Sequence, residues 1–318
     1  MKSRGQENVN VKVAFNFLSY IRYGNDIITS IVKKFYTRGE KIKKAKHKIS
    51  AGVVFSWIGI VIIVTFFFFP IFWEVLASFK SSIEIRSPNP TLIFQPSFEN
   101  WGYIFIEREF LSNFKNSIIV VSCTTILTVL IGALAAYALA TVNFKGRKLL
   151  ALEIITLRML PPASVIVPIF LLLKKAFLIN TLPGLIIIYI TFNLPLSCWL
   201  LMQYFKGIPQ EIREAALIDG SSWSKNLWTI VFPLAKPGLV AVTIFCLIFS
   251  WSEFLFALIL TSEETHTLPI AAAAVLQHHY IHWGGLSASC VFIMALPLFF
   301  IFVVQKHFVK GLTLGAIK

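Results

Sequence analysis

The chain has 318 residues, of which 57% are hydrophobic and only 14% charged, and it contains 30 Phe and 8 Trp. A water-soluble domain carries roughly a quarter charged residues, so this composition excludes a surface wetted on every side and requires apolar area facing lipid. The net charge of +14 is concentrated: the first 48 residues hold twelve Lys/Arg against three acids. No base-reading module accompanies that charge, which argues against nucleic acid and for attraction to an anionic inner leaflet.

Within this basic leader, Ile27, Ile28, Ile31, Val32 and Phe35 recur at helical spacing beside Lys33, Lys34 and Arg38. Two readings stand: an amphipathic helix lying on the inner leaflet, or a partly disordered basic segment. Nearly fifty polar and basic residues do not read as a cleavable signal peptide.

Six apolar windows follow, each near the ~20 residues a helix needs to cross the hydrocarbon. They run over 50–77, 117–142, 149–173, 183–204, 238–261 and 286–305. Pro161 and Pro162 in the third window and Pro195 in the fourth predict kinks. Cys123, Cys198, Cys246 and Cys290 sit at scattered spacing inside these windows and imply neither a disulfide framework nor a zinc site. Basic bias orients the chain. Segments 1–49, 143–148, 205–237 and 306–318 carry +9, +3, +1 and +3, against 0, +2 and −2 on 78–116, 174–182 and 262–285. The predicted fold is an all-α integral membrane protein of six transmembrane helices with both termini cytoplasmic. The division is a basic segment over 1–48 and a membrane domain over 49–318.

The longest cytoplasmic connection, about 205–237, joins the fourth and fifth windows. Pro209 suits the first turn of a helix and Glu211 its positive end, while Asp219-Gly220 supplies a stop. A second short helix starts with Ser221 or Ser222 as N-cap and runs to Pro233. The expected pair is L-shaped. Ile212, Ala215 and Ala216 share one face of the first helix, and the two alanines let another surface come close. Trp223, Leu227 and Ile230 line one side of the second, with Trp228 nearby. Large aromatics in a water-facing loop either dock a partner or pack on the protein's own helix ends.

The order Glu214-Ala215-Ala216, then Gly220, then Ile230 and Phe232-Pro233 resembles the signature loop of binding-protein-dependent ABC importer permeases, with Phe232 where the family usually has Leu. Residues 50–318 are similar to the carbohydrate-uptake branch, the subunits like the second maltose permease. The matching stretches are FKNSIIV (114–120), ALAAYALATVNFKGRK (133–148), RMLPPASVIVPIF (158–170), NTLPGLIIIY (180–189), FNLPLSCWLL (192–201), WSEFLFALILT (251–261) and KGLTLGAIK (310–318). The resemblance does not cover the leader. It implies an importer in a prokaryotic inner membrane, passing a sugar, oligosaccharide or polyol by alternating access. The implied partners are a second permease subunit forming a heterodimer, two ATP-binding subunits and an extracytoplasmic solute-binding protein. It also implies that the loop is a coupling helix seated in a cleft of the ATPase, with Glu214 facing a basic residue there. Ala215, Ala216, Asp219, Gly220, Trp223 and Pro233 complete that docking set.

No GxxxxGK[ST] phosphate loop occurs, so this chain is expected to bind no cofactor, ATP and Mg lying on the partner ATPases, and to be no enzyme itself. Four charges fall within the windows: Glu74, Glu153, Arg158 and Glu253. A charge at mid-membrane costs about 3 kcal/mol, so central ones should face the bundle interior or water. Arg158 either meets a hydroxyl-rich substrate or partners a helix carbonyl or a glutamate. Trp251 and Glu253 fall in a run the family places along the translocation path, where Trp would stack on a sugar and Glu would take its hydroxyls; Trp251 equally serves as helix packing. His278, His279 and His282 form either a metal site or a solvated loop toward the binding protein. The competing class is an ion-coupled transporter acting alone. It needs more intramembrane ionisable residues and an internal repeat, and neither is evident here.

Overall fold

The computed structural model describes residues 51–89, 91–276 and 281–314, and every regular element among them is helical. The leader with its apolar row at 27–35, His278, His279 and the last four residues lie outside the described residues. The chain divides into two units, Met1–Phe68 and Phe69–Lys318. In the first, residues 51–68 form the leading part of helix α1 (Ala51–Ser78). Phe66 and Phe67 meet edge to face there at 5.5 Å, and both are exposed, as suits a helix turned to lipid.

The second unit carries α2 (Ser82–Arg86) and α3 (Glu99–Gly102), which continues as a π-turn over Tyr103–Glu107. Then come α4 (Phe110–Thr141), α5 (Arg147–Thr156), α6 (Pro162–Lys175), α7 (Leu182–Lys206) and α8 (Gln210–Ile218). They are followed by α9 (Trp223–Asn226), α10 (Phe232–Leu234), α11 (Lys236–Trp251), α12 (Leu255–Leu260), α13 (Leu268–Ala274) and α14 (Trp283–Leu314). Buried Asn100 of α3 ties down the chain after α1 by donating to the carbonyls of Ser78 (3.0 Å) and Lys80 (2.7 Å).

Among the described residues four helices are long and apolar enough to cross a membrane, and up to six spans result if each sharply bent pair is one. The bends change two expectations. Pro161-Pro162 does more than kink the third window: α5, ending in a 3-10 turn at Leu157–Met159, stops, and α6 restarts after a bend of 95°. Two successive prolines remove two donors, and Pro161 holds Leu160 in extended backbone, so the helix cannot continue through them. The fifth window is likewise not one helix. α11 ends at Trp251, residues 252–254 break the ladder, and α12 resumes. The sixteen residues of α11 span about 24 Å, short of the ~30 Å hydrocarbon, and the second sharply bent pair joins Trp223–Leu234 to α11 at 82°.

α4 packs along α7 for most of its length, and α11 packs against both as well as against α14. Small residues allow the approach. A Cβ on Gly132 would meet Ser197 Oγ at 2.6 Å, and Ala133 and Ala136 are fully buried. One apolar cluster at this seam includes Tyr137, Leu201, Phe205 and Val242, and it extends into the α9–α10 region through Leu227 and Val231.

Candidate functional site: an exposed loop helix and a half-open cavity

In the loop between α7 and α11, α8 ends in a Schellman motif. Ser221 N–H bonds to Ala216 O (2.9 Å), Gly220 N–H bonds to Leu217 O (3.1 Å), and Gly220 adopts φ +82°. Of the two candidate caps for the following helix, Ser222 is the one used: its Oγ accepts from Lys225 N at 3.2 Å. Buried Asn226 then donates to Arg213 O at 2.9 Å, holding α9 to α8. That link had no sequence signal beyond an Asn in a loop.

The faces differ from the expected ones. One residue is 100° of helix, so Ala216 turns inward at 8% exposure while Ala215 stays exposed. The outward row is therefore Glu211, Glu214, Ala215 and Ile218, the last 86% exposed. Gln210 Nε2 donates to Glu214 Oε1. On the second helix, a π-turn over Leu227–Val231 widens the repeat, so Leu227 (2%) and Val231 (0%) bury together and Ile230 is only partly covered. Trp223, half exposed, meets Tyr137 edge-on at 6.0 Å, and Trp228 lies against Phe232 at 4.5 Å. Asp219 is the C-cap of α8, and Pro233 is exposed within α10. Glu214, Ala215, Asp219, Gly220, Trp223 and Pro233 are exposed, whereas Ala216 is buried.

The second site is a cavity of about 480 Å³ whose lining includes Arg158, Tyr189, Asn193, Phe249, Ser250 and Glu253. Arg158 Nη1 donates to Phe192 O at 2.7 Å, and its guanidinium lies 4.7 Å from the Phe249 ring centroid. It is therefore a partner to a helix carbonyl and a lining residue at once. Glu253 occupies the break before α12 and accepts from Phe256 N (2.8 Å) and Ala257 N (3.2 Å), capping that short helix with a charge. Asn193 donates to Ser250 Oγ at 3.0 Å, joining α7 to α11. Tyr189, Asn193 and Ser250 were missed in the sequence, although polar side chains inside apolar windows are the available signal.

Trp251 does not join that lining. It is 5% exposed, donates its indole N–H to Ile293 O (3.1 Å) and meets Phe114 edge-on. His282 stacks on Tyr103 at 4.2 Å, and its Nδ1 accepts from Gly285 N, capping α14.

Residues 128–314 match the family described as binding-protein-dependent transport system inner membrane component. The chain is 35% identical to the trehalose/maltose transport system permease protein MalG of Thermococcus litoralis, covering 82% of this chain and 95% of that one. It is 33% identical to the trehalose transport system permease protein SugB of Mycobacterium tuberculosis (81% and 94%) and 34% identical to the diacetylchitobiose uptake system permease protein NgcG of Streptomyces coelicolor (83% and 86%). Among solved structures, a bacterial ABC transporter involved in the import of the acidic polysaccharide alginate has the same fold. It matches with a TM-score of 0.68 at 24% identity, covering 81% of this chain and 98% of that one. Together with the helical bundle and its broken spans, these matches make the chain an inner-membrane protein of the binding-protein-dependent transport family, the permease subunit of an ABC importer whose ATP hydrolysis belongs to separate chains.

Proposed function

We propose that this chain is one half of a heterodimeric permease that passes a sugar, oligosaccharide or polyol across the membrane by alternating access. In this reading it works with a second permease subunit, two ATP-binding subunits holding ATP and Mg, and an extracytoplasmic solute-binding protein. Relatives named for trehalose, maltose and diacetylchitobiose support the saccharide class. The chain crosses six times with both termini cytoplasmic. The third crossing is α5 with α6, and the fifth is α11 with α12. Residues 1–48 form a basic cytoplasmic segment ahead of a membrane domain over 49–318.

The observation that carries the reading is the outward row of α8. An apolar Ile218 at 86% exposure, beside two carboxylates and a bare alanine, sits on a helix end fixed by Gly220 and cross-braced by Asn226. A surface this ordered and this uncovered suits a cleft on another protein. ATP-driven closure of the ATPase pair would move this helix and rock the bundle.

Glu214→Ala tests it in the assembled transporter. Removing one partner of a desolvated charge pair costs about 2–5 kcal/mol. ATP-driven uptake should fall at least tenfold, and the ATPase should co-purify less well. Unchanged uptake together with unchanged co-purification would sink the reading.

A further inference from the structure

We propose that Arg213 is the positioning residue that carries movement of α8 into the bundle. Its guanidinium, on the inner side of α8, bonds to the Tyr137 hydroxyl of α4 and the Asn226 amide oxygen of α9 when the ATPase pair closes. The inference rests on the reading of α8 as the ATPase-docking helix and adds the side chain that links that helix to the rest of the chain.

The first observation is a set of unanswered groups under α8. Glu211, Glu214, Ala215 and Ile218 form its outward row, and Arg213 lies on the opposite side with buried Ala216, at i and i+3. Arg213 as a whole is half-buried, yet its Nε and Nη1 are sealed from solvent and have no hydrogen-bond partner among the described residues. Asn226 is fully buried and in a similar condition. Its Nδ2 donates to Arg213 O at 2.9 Å, while its Oδ1 is sealed and unpartnered among the described residues. Two donors and one acceptor are thus left over where α8 meets α9. A guanidinium cannot shed its proton, so Arg213 cannot escape by becoming neutral. Native proteins seldom keep buried polar groups unanswered, least of all charged ones. Unmet groups on both sides of one joint point to a second arrangement in which they are met.

The second observation is what surrounds the charge. Tyr137, buried near the end of α4, meets the rings of Trp223 at 6.0 Å and Phe205 at 6.2 Å, both edge-on. The charge acting on its hydroxyl is that of Arg213. Tyr137, Phe205 and Leu227 belong to the apolar cluster that runs from the α4–α7 seam into the α9–α10 region. One cation therefore stands at the meeting of three elements: α8, which carries it, α9 through Asn226, and α4 through Tyr137. A phenol oxygen and an amide oxygen both accept, and the guanidinium fork can serve two acceptors at once. Apolar contact is non-directional and lets one helix slide over another, whereas hydrogen bonds fix direction. A push on the outward row shifts α8 against α4. Bonds from Arg213 to Tyr137 Oη and Asn226 Oδ1 then make α4 follow.

Trapping with ATP and vanadate, in inside-out vesicles holding the complete transporter, tests this without any sugar. The reporter is maleimide labelling of Ser252→Cys, an exposed position on the cavity wall, with labelling of the parent protein subtracted. In the otherwise wild-type chain, trapping should change the labelling rate about fivefold or more. Adding Arg213→Ala should shrink that change to below about twofold, while trapped nucleotide, co-purified ATPase and melting temperature hold. Arg213→Lys, which keeps a charge and donors, should recover part of the response. Tyr137→Phe should give a partial loss and add nothing to Arg213→Ala, because both cut one link. A full labelling response in Arg213→Ala overturns the proposal. So does a loss of response accompanied by equal losses of co-purification and melting temperature, the mark of an arginine that only holds the fold. If nucleotide is trapped and the otherwise wild-type chain shows no change in labelling, the ATP-driven alternating-access reading itself falls, and the proposal with it.

Discussion

At Gly220 the backbone turns through φ +82°, and no atom lies within 4 Å of the point a Cβ would occupy. The requirement for glycine is therefore conformational and not steric. An L-residue there costs about 1 kcal/mol, and asparagine tolerates the region better than alanine. In Gly220→Ala the amides of residues 220 and 221, which close the Schellman motif, should exchange hydrogen about fivefold faster, whereas Gly220→Asn should stay near wild type. Equal protection in the alanine variant would mean that the turn is held by something other than this residue. The reading of Asp219-Gly220 as a stop needed only local chemistry. Ala215 and Ala216 needed more, because a shared helical face does not say which of two neighbours points inward.

Among the elements, the seam between α4 and the segment leading into α13 depends on few groups. Buried Asn116 donates to Glu264 O (2.9 Å) and His266 O (3.2 Å), and Ser117 Oγ accepts from Leu268 N (2.8 Å) at the start of α13. Burial holds the pKa of His266 below its ordinary value, with Glu263 opposing the shift. The unfolded segment then binds protons more readily than the folded one once pH drops below about 6.5. Stability contributed by the neutral ring is intact above that value and is lost as pH falls through it. Intrinsic-rate-corrected hydrogen exchange over residues 262–275 should be faster at pH 5.5 than at pH 7.5, and His266→Gln should flatten the difference. No pH dependence in the wild type would count against this account. The prolines act at the same scale. Pro195 sits within α7, which runs on through it, whereas Pro161-Pro162 ends one helix and starts another.

For the whole molecule, the reading turns on which side of the membrane carries α8. Ile218, 86% exposed, and Ile106, 80% exposed in the π-turn before α4, belong on opposite sides in the proposed topology. In intact cells a membrane-impermeant maleimide should label Ile106→Cys and spare Ile218→Cys, with the pattern reversed in inside-out vesicles. Native Cys198 and Cys246 are buried, and Cys123 within α4 and half-buried Cys290 within α14 lie in membrane-crossing helices in this topology, so background labelling should be low. Labelling of Ile218→Cys from outside would overturn the orientation and the ATPase-docking role together.

Apolar length and the Ala-Gly pattern of the loop were enough, from residues alone, to determine a helical membrane protein with an exposed loop helix, because each depends on neighbours within a turn or two. The cavity was decided only by tertiary structure. Tyr189 and Asn193 on α7, Ser250 on α11, Arg158 after α5 and Glu253 before α12 are far apart in the chain, and only the break at 252–254 and the proline bend bring them to one space. Trp251 went the other way, into packing against α14, because one residue along a helix turns a side chain by 100° and nothing local says which neighbour will face the cavity.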